Sequence, residues 1–352
     1  MFEAIPAVFD GHNDVLLRLY SEGGRTALES FSTGRDGAID LPKARQGGFG
    51  GGFFAVYVPS PMDLDEKLRA TASDSYDLPL PDPIDWEVAI SVVLHQSALL
   101  TELDQRGDLK IVRSVADIHT AWSQDKLAAV FHIEGAEGID EDLHALDVLY
   151  AAGLRSLGPV WSRNNIFGEG VPFRFPSTGD IGAGLSDHGK RLIRRCNQLK
   201  IMVDLSHLNE AGFWDVARIS DAPLVATHSN AYAVSPHSRN LTDKQLAAIA
   251  ESDGMVGLNF AVCFLRADGK NRSDTPLDQV LRHLDHLIDV LGEDRVGLGS
   301  DYDRATVPQD VTSVADLPNL RKAMVAHGYN AELIEKLCHK NWLRVLAKTW
   351  GG

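Results

Sequence analysis

Hydrophobic residues fall into two alternating kinds of segment along this chain. Short apolar runs rich in β-branched or aromatic residues are typical of buried strands, and longer segments repeat their apolar positions with the period of a helix. The strand candidates are residues 7–11, 52–58, 128–133, 156–160, 201–204, 224–227, 255–259 and 296–299. The helix candidates are residues 84–105, 142–152, 187–199, 210–219, 243–251, 277–291 and about 331–347.

Eight strand–helix units predict a (β/α)8 TIM barrel. A doubly wound open sheet is the alternative, because it has the same alternation of strands and helices. Residues 109–112 could add a strand outside the main series, and the Pro- and Asp-rich stretch 73–85 reads as a surface loop. Without an internal repeat or a low-complexity linker, we expect one domain over residues 1–352.

Charge and composition narrow the classes of partner. The net charge of −15 argues against a nucleic acid or an anionic membrane surface as the main partner. No apolar stretch is long enough to span a bilayer, and no secretion signal fits before the first strand candidate. The three cysteines, Cys196, Cys263 and Cys338, imply no disulfide framework. We therefore expect a cytoplasmic protein.

Five of the strand candidates end next to residues that bind metal ions or transfer protons. The first is followed by His12 and Asp14, which point to the same side of an extended backbone. The others are followed by Glu134, His207, His228 and Asp301. A barrel gathers such positions at its C-terminal rim, whereas an open sheet spreads them along one edge. The pattern favours the barrel and predicts a site at the rim.

Each of these residues has an ordinary structural alternative. Glu134 could cap a helix, Asp301 could begin a turn, and a single histidine at a strand end is more often a satisfied polar residue than a ligand. Six such residues together favour a metal centre. Imidazole and carboxylate groups suit Zn²⁺, and also manganese, cobalt or iron. Five ligands exceed the needs of one catalytic zinc and fit two ions about 3.5–4 Å apart, which leaves Asp301 for proton transfer.

Two glycine motifs resemble nucleotide-binding sequences, but the segments around them do not fit such sites. The stretch 50–55 matches G-x-G-x-x-A but precedes a strand instead of joining a strand to a helix, and the stretch 184–190 lacks the strand that leads into a P-loop. His283 and His286 could share one face of a helix, and we expect that face at the surface.

Taken in order, several segments resemble those of the renal (membrane) dipeptidases, binuclear zinc enzymes of the amidohydrolase superfamily. These segments are FDGHND (9–14), IEG (133–135), MVDLSH (202–207), THSNAY (227–232), SRN (238–240) and GSDYD (299–303). The resemblance runs from about Val8 to Leu346, so it covers almost the whole chain.

The resemblance implies a distorted barrel, often dimeric, that hydrolyses dipeptides, in some relatives with a D-residue at the C-terminal position. His12 and Asp14 would hold the first zinc, Glu134 would bridge, and His207 and His228 would hold the second zinc. Asp301 would be the acid/base residue. Arg239 would bind the substrate's terminal carboxylate, a role that suits its planar set of donors.

One position departs from the family pattern. Relatives commonly carry a histidine that contacts the substrate near the scissile carbonyl, in a segment after the fourth strand. This chain has LGPVWS (157–162) there, and Trp161 takes the place of the histidine. An indole N–H donates one hydrogen bond but cannot accept a proton. Either the metal ions alone polarise the carbonyl, or the pocket is reshaped for another substrate, or Trp161 only packs.

We therefore expect a dipeptidase in which a hydroxide bridging two zinc ions attacks the peptide carbonyl. Asp301 would move the proton to the leaving amine. One alternative is another amidohydrolase reaction, on an N-acyl amino acid, a lactone, a β-lactam or a phosphoester. The other is a metal-binding scaffold without activity, against which the presence of all the ligands and of Asp301 argues.

Overall fold

A computed structural model of the chain describes residues 7–60 and 70–351. Its strands are β1 (Val8–Asn13), β2 (Phe49–Tyr57), β3 (Tyr76–Asp77), β4 (Leu109–Ile111), β5 (Leu127–Glu134), β6 (Leu154–Gly158), β7 (Arg174–Phe175), β8 (Met202–Val203), β9 (Val225–Ala226), β10 (Met255–Asn259) and β11 (Val296–Gly299). Eight of them run parallel in the order β8-β6-β5-β2-β1-β11-β10-β9, while β4 pairs with β5 and β3 pairs with β7.

The two ends of this sheet meet. Asp204, directly after β8, bridges Val225 of β9 in parallel orientation, and the Leu205 amide donates to the Val225 carbonyl at 2.8 Å. With helices between the strands, this arrangement is a distorted (β/α)8 barrel, so the predicted fold is confirmed. The assignment of residues 1–352 to one domain stays a prediction.

The helices cover the outside of the barrel. They span Val15–Ser21, Leu28–Thr33, Leu41–Gly47, Trp86–Arg106, Val115–Ser123, His144–Ala152, Asp187–Leu199, Glu210–Ile219, Asp243–Glu251, Val262–Leu265, Leu277–Leu291, Leu317–His327, Ala331–Glu335 and Asn341–Trp350. A π-helical turn, Lys336–Lys340, joins the last two. Among the described residues, the structure contains no helix whose length and apolar character would let it cross a membrane.

The N-terminal end of the barrel interior is closed by an indole. Trp342, from the last helix, is fully buried and donates from its Nε1 to the Leu298 carbonyl at 3.0 Å. A Cβ on Gly11 would lie 2.5 Å from this ring and 2.3 Å from the Thr227 carbonyl oxygen, so only glycine fits there. Tight packing at this end leaves the opposite, C-terminal rim for polar chemistry.

Candidate active site

The barrel brings all six predicted rim residues together at its C-terminal end. His12 lies in β1, Asp14 follows it, and Glu134 is the last residue of β5. The remaining three follow β8, β9 and β11, and they are His207, His228 and Asp301. Five of the six are buried and Asp301 is partly exposed. The strand ends therefore place three imidazoles and three carboxyl groups in one small volume.

One carboxylate oxygen lies at the centre of this group. Glu134 Oε1 is 3.1 Å from His207 Nε2, 3.2 Å from His228 Nε2 and 3.6 Å from His12 Nε2. The two nitrogens His207 Nε2 and His228 Nε2 are 3.1 Å apart. Such a convergence of nitrogen and oxygen lone pairs is the geometry of a metal-binding group.

Two overlapping sets of residues could each hold an ion. In one set, His12, Glu134 and His228 offer ligand atoms within 4.8 Å of one another, and in the other His12, Asp14 and Asp301 do so. The two sets share His12. The arrangement therefore fits one or two divalent ions, and the donor types suit zinc among other metals.

The polar atoms that lack partners support this fit. Both ring nitrogens of His12 and both carboxylate oxygens of Asp14 are buried and have no hydrogen-bond partner among the described residues. The His12 Nε2–Asp14 Oδ2 separation is 3.7 Å, too long for a hydrogen bond. An unsatisfied buried polar group costs about 1–3 kcal/mol, so a cation that coordinates these atoms removes a considerable penalty.

A hydrogen-bond chain orients His228. Thr227 Oγ1 donates its single proton to Asp204 Oδ2 at 2.6 Å, and it lies 2.8 Å from His228 Nδ1. Because the hydroxyl proton is already engaged, the hydroxyl accepts from His228 Nδ1–H. The Nε2 lone pair of His228 then faces Glu134, in the orientation that a metal ligand would require.

His207 and Asp301 are held in a similar way. Ser162 Oγ lies 2.8 Å from His207 Nδ1, and the Asn259 amide donates to Asp301 Oδ2 at 2.9 Å. The backbone of both residues is left-handed, with φ of 67° at His207 and 60° at Asp301. Such φ values are uncommon outside glycine and cluster at functional sites.

Burial and neighbouring charges shift the pKa of the site's carboxyl groups and histidines. Burial raises the pKa of Glu134 to about 8 against the opposing effect of His12, and burial likewise raises the pKa of Asp301. Burial lowers the pKa of His228, whereas the Glu134 and Asp14 carboxylates outweigh burial at His12 and raise its pKa to about 10. Without a cation the centre therefore retains protons that an ion would displace.

A cavity of about 90 Å³ opens onto this centre. Its wall is formed at the rim by Asp14, Glu134, His207 and Asp301 and further out by Thr71, Trp161, Phe173, Ala261, Cys263, Phe264, Asn271, Arg304, Ala305 and Thr306. A cavity of this size suits a small substrate.

Arg239 is not among the residues that line this cavity. It is buried, and its guanidinium donates to the His228 carbonyl at 3.0 Å and to Ser229 Oγ at 3.3 Å. Its Cζ lies 5.4 Å from the ring centre of Phe264, which does line the cavity, and its Nε has no hydrogen-bond partner among the described residues. The Nε–H of Arg239 is thus a buried donor without a protein acceptor, behind the Phe264 ring of the cavity wall.

Trp161 both packs and faces the cavity. Its ring centre is 5.7 Å from that of His207 and 5.1 Å from that of Tyr57, and its side chain lines the cavity wall. Packing and substrate contact are therefore compatible at this position.

Sequence reasoning did not identify the residues that orient the predicted site residues through hydrogen bonds, namely Ser162, Asp204, Thr227 and Asn259. The sequence does carry one signal for them. Each is a polar residue at the end of a strand candidate or within two residues of it. Asp204 and Thr227 come three residues and one residue before a predicted site residue, and Ser162 directly follows one. Asn259 ends the strand next to the one that Asp301 follows. Hydrogen bonding across strands, which no local spacing shows, gives them their role.

The sequence model of the family described as membrane dipeptidase (peptidase family M19) matches residues 3–350. A Rhodobacter sphaeroides metallo peptidase, liganded with a phosphinate mimic of the dipeptide L-Ala-D-Ala, is 53% identical with a TM-score of 0.95, over 98% of this chain and 99% of that one. Dipeptidase AC, a metallo peptidase of family M19, is 52% identical with a TM-score of 0.95, over 99% of both chains.

A curated relative from Klebsiella pneumoniae, an uncharacterized protein in the pqqA 5′ region, is 48% identical over 271 residues, which is 76% of this chain and 98% of that protein. The family match spans every strand of the barrel and all six rim residues.

Proposed function

Because the chain belongs to the membrane dipeptidase family, peptidase family M19, and is a hydrolase of that family, we propose that it cleaves the peptide bond of dipeptides with a pair of zinc ions. The observation that carries the proposal is the convergence of three imidazoles on Glu134 Oε1 beside the unpartnered atoms of His12 and Asp14.

The proposed ligands divide between two ions. His12 and Asp14 would hold the first ion, His207 and His228 the second, and Glu134 both. When bound, such a pair lowers the pKa of water towards about 7 and polarises a carbonyl. The protein's own contribution is to fix ligand direction, through Ser162 at His207 and Thr227 at His228.

Asp301 would carry the proton. It lines the cavity, Asn259 holds one of its oxygens, and burial raises its pKa. A carboxylate with a raised pKa accepts a proton from the attacking water more readily and can return it to the departing amine. Arg239 would hold the substrate's terminal carboxylate through the donor that lacks a protein partner.

A D-residue at the C-terminal position is part of this proposal. Its support is the Rhodobacter sphaeroides neighbour, which binds a mimic of L-Ala-D-Ala. The test is hydrolysis of L-Ala-D-Ala and L-Ala-L-Ala by the zinc-loaded protein, with metal content measured in the same sample. Two zinc ions per chain and turnover of either dipeptide are expected. A fully loaded protein that cleaves neither would contradict the proposal.

The second candidate is hydrolysis of a related small substrate such as an N-acyl amino acid, a lactone or a β-lactam. The observation that favours it is Trp161, which lines the cavity where the family resemblance leads us to expect a histidine. Turnover of these substrates at rates above those of dipeptides would select this alternative.

The homodimer that the family resemblance implies stays a prediction, which light scattering would test. The cytoplasmic location also stays a prediction.

A further inference from the structure

An uninterrupted chain of aromatic contacts runs beside the cavity. Phe264, Phe173 and Trp161 line the wall, with ring centres 5.8 Å apart at each of the two contacts. Tyr57 continues the chain beyond Trp161 at a ring-centre distance of 5.1 Å. These rings form an apolar surface along which a short peptide can lie.

An arginine stacks on each end of this aromatic chain. Arg239 lies with its Cζ 5.4 Å from the ring centre of Phe264, and Arg304 lies with its Cζ 5.0 Å from the ring centre of Tyr57. Arg304 is exposed and lines the cavity. Arg239 lies behind Phe264, whereas Arg304 shares the cavity wall with Glu134 and Asp301, so a substrate at the proposed metal centre would lie in the same cavity as Arg304.

Neither of these two arginines has a carboxylate partner among the described residues. Arg163, whose Cζ also lies 5.8 Å from the Trp161 ring centre, shows the contrast, because its Nη2 is 2.9 Å from Glu137 Oε1. The acid next to Arg304 in sequence is engaged elsewhere, since Asp303 Oδ2 pairs with Arg35 Nη1 at 3.1 Å. Within residues 7–60 and 70–351, the charge that Arg304 presents to the cavity is thus paired with no carboxylate.

The remaining ionisable groups of the cavity wall lie at the proposed metal centre, apart from Cys263. They are Asp14, Glu134, His207 and Asp301. In the outer part of the wall, among the described residues, Arg304 is the charged side chain, and its polar neighbours Thr71, Asn271 and Thr306 are neutral. In a chain of net charge −15, Arg304 is thus a local positive charge in the cavity wall.

We propose that Arg304 is a specificity residue that binds a carboxylate on the side chain of the substrate's N-terminal residue, so that dipeptides beginning with Asp or Glu are preferred. The inference rests on the proposed function, in which Arg239 holds the C-terminal carboxylate. With that end fixed and the peptide bond at Glu134 and Asp301, the side chain of the N-terminal residue would occupy the rest of the cavity, whose wall includes Arg304. A neutral N-terminal residue brings only its cationic ammonium towards Arg304, whereas an acidic side chain supplies a matching charge.

The test compares two nearly isosteric substrates, L-Glu-L-Ala and L-Gln-L-Ala, which differ in one charge. The expected ratio of kcat/KM for Glu-Ala over Gln-Ala is about two- to fivefold in the zinc-loaded protein, the value of a charged contact exposed to water. The difference should lie mainly in KM, and the ratio should fall as ionic strength rises.

Arg304→Met should bring this ratio to about one, and Arg304→Lys should retain part of it. Arg304→Glu should instead favour L-Lys-L-Ala over L-Glu-L-Ala. The matched control is Arg218→Met, because Arg218 is an exposed arginine outside the cavity wall and its loss changes net charge equally. This control should keep the ratio of the unmodified protein.

Three results would overturn the inference about Arg304 and leave the proposed function intact. They are equal kcat/KM for Glu-Ala and Gln-Ala, a ratio that Arg304→Met does not alter, and a preference for L-Ala-L-Glu over L-Glu-L-Ala. Absence of turnover on every dipeptide would overturn both.

Discussion

At the scale of single residues, the site depends on how protons are distributed around the imidazoles. A ligand histidine must present a nitrogen lone pair, so the partner of its other nitrogen fixes its state. For His228 that partner is Thr227, whose hydroxyl is committed to Asp204. If His228 holds an ion as proposed, the metal affinity of the centre would be set partly by Thr227, a side chain that is not itself a proposed ligand.

Thr227→Val removes this hydroxyl with little change in shape. His228 Nδ1 would lose its acceptor and Asp204 Oδ2 would lose a donor. Zinc affinity should fall about 10- to 100-fold, as for other groups that orient metal ligands. Competition with a zinc indicator measures it. Thr227→Ser keeps the hydroxyl and should bind zinc nearly normally, and an unchanged affinity in Thr227→Val would refute the orienting role.

Asp301→Asn tests the proton carrier. Turnover should fall about 10²- to 10⁴-fold while metal content is kept, because the amide cannot accept the proton. Steady-state kinetics and metal analysis of the same preparation give both quantities. The exposed Asp310 supplies the matched control, Asp310→Asn. Loss of one metal ion together with activity would instead make Asp301 a ligand, as its proximity to His12 and Asp14 allows.

Arg239→Met tests the carboxylate contact. Substrates with a free C-terminal carboxylate should show a KM about tenfold or more higher, since a charge-assisted hydrogen bond is worth about 1.5–3 kcal/mol. A dipeptide methyl ester, which lacks that charge, should be affected less. An equal loss on both substrates would count against the contact. The control is Arg239→Lys, which keeps a long cationic side chain at this buried position and should preserve the fold.

At the scale of elements, hydrophobic patterning located all eight barrel strands, and it matched β10 and β11 residue for residue. It overestimated β8 and β9, because the chain leaves regular pairing where polar groups such as Asp204 bond across strands. It missed short helices such as Val115–Ser123 and Leu317–His327, whose apolar positions are too few to establish a period.

Two further predictions failed for physical reasons that spacing does not show. Residues 331–347 were expected as one helix but are interrupted by the π-helical turn Lys336–Lys340. His283 was expected at the surface but is buried, where its Nδ1 accepts from the Ala231 amide and its Nε2 lies 2.9 Å from the Leu265 carbonyl. Two backbone groups from distant parts of the chain, one of them at the end of the helix Val262–Leu265, thus satisfy this histidine, and the periodicity of its own helix does not show them.

The approach of β1 to the barrel interior depends on Gly11. An added methyl group would meet Trp342 and the Thr227 carbonyl, so Gly11→Ala should destabilise the fold by about 1–3 kcal/mol or more, the range for overpacked cores. Urea unfolding measures the free energy. Gly158 in β6 is the matched control, because a Cβ there meets nothing nearer than 3.7 Å. Similar stabilities for Gly11→Ala and Gly158→Ala would contradict the packing argument.

At the scale of the whole molecule, the site and the fold are coupled through charge. The rim gathers the carboxyl groups of Asp14, Glu134 and Asp301 in a chain whose net charge is already −15. Their sequence positions span nearly the entire barrel, from β1 to β11, so closure of the ring without a cation costs either repulsion between them or the uptake of protons at Glu134 and Asp301, whose pKa values burial raises. The sequence could predict which residues gather, since strand ends of a barrel share one rim, but not their mutual distances, which depend on strand register and tilt.

Removal of metal should therefore lower the stability of the whole protein. A ligand present at 100 times its Kd stabilises the folded state by about 2.7 kcal/mol, and the increment grows with the free concentration. Calorimetry of chelator-treated and zinc-loaded samples should show a Tm that rises continuously with zinc. Glu134→Gln removes the negative charge of the residue that both proposed ions would share, so the Tm of this variant should rise much less with zinc. A Tm of the unmodified protein that does not depend on zinc would show that the rim residues do not bind it. Their unpartnered polar atoms would then destabilise the fold, and other interactions would have to offset this cost.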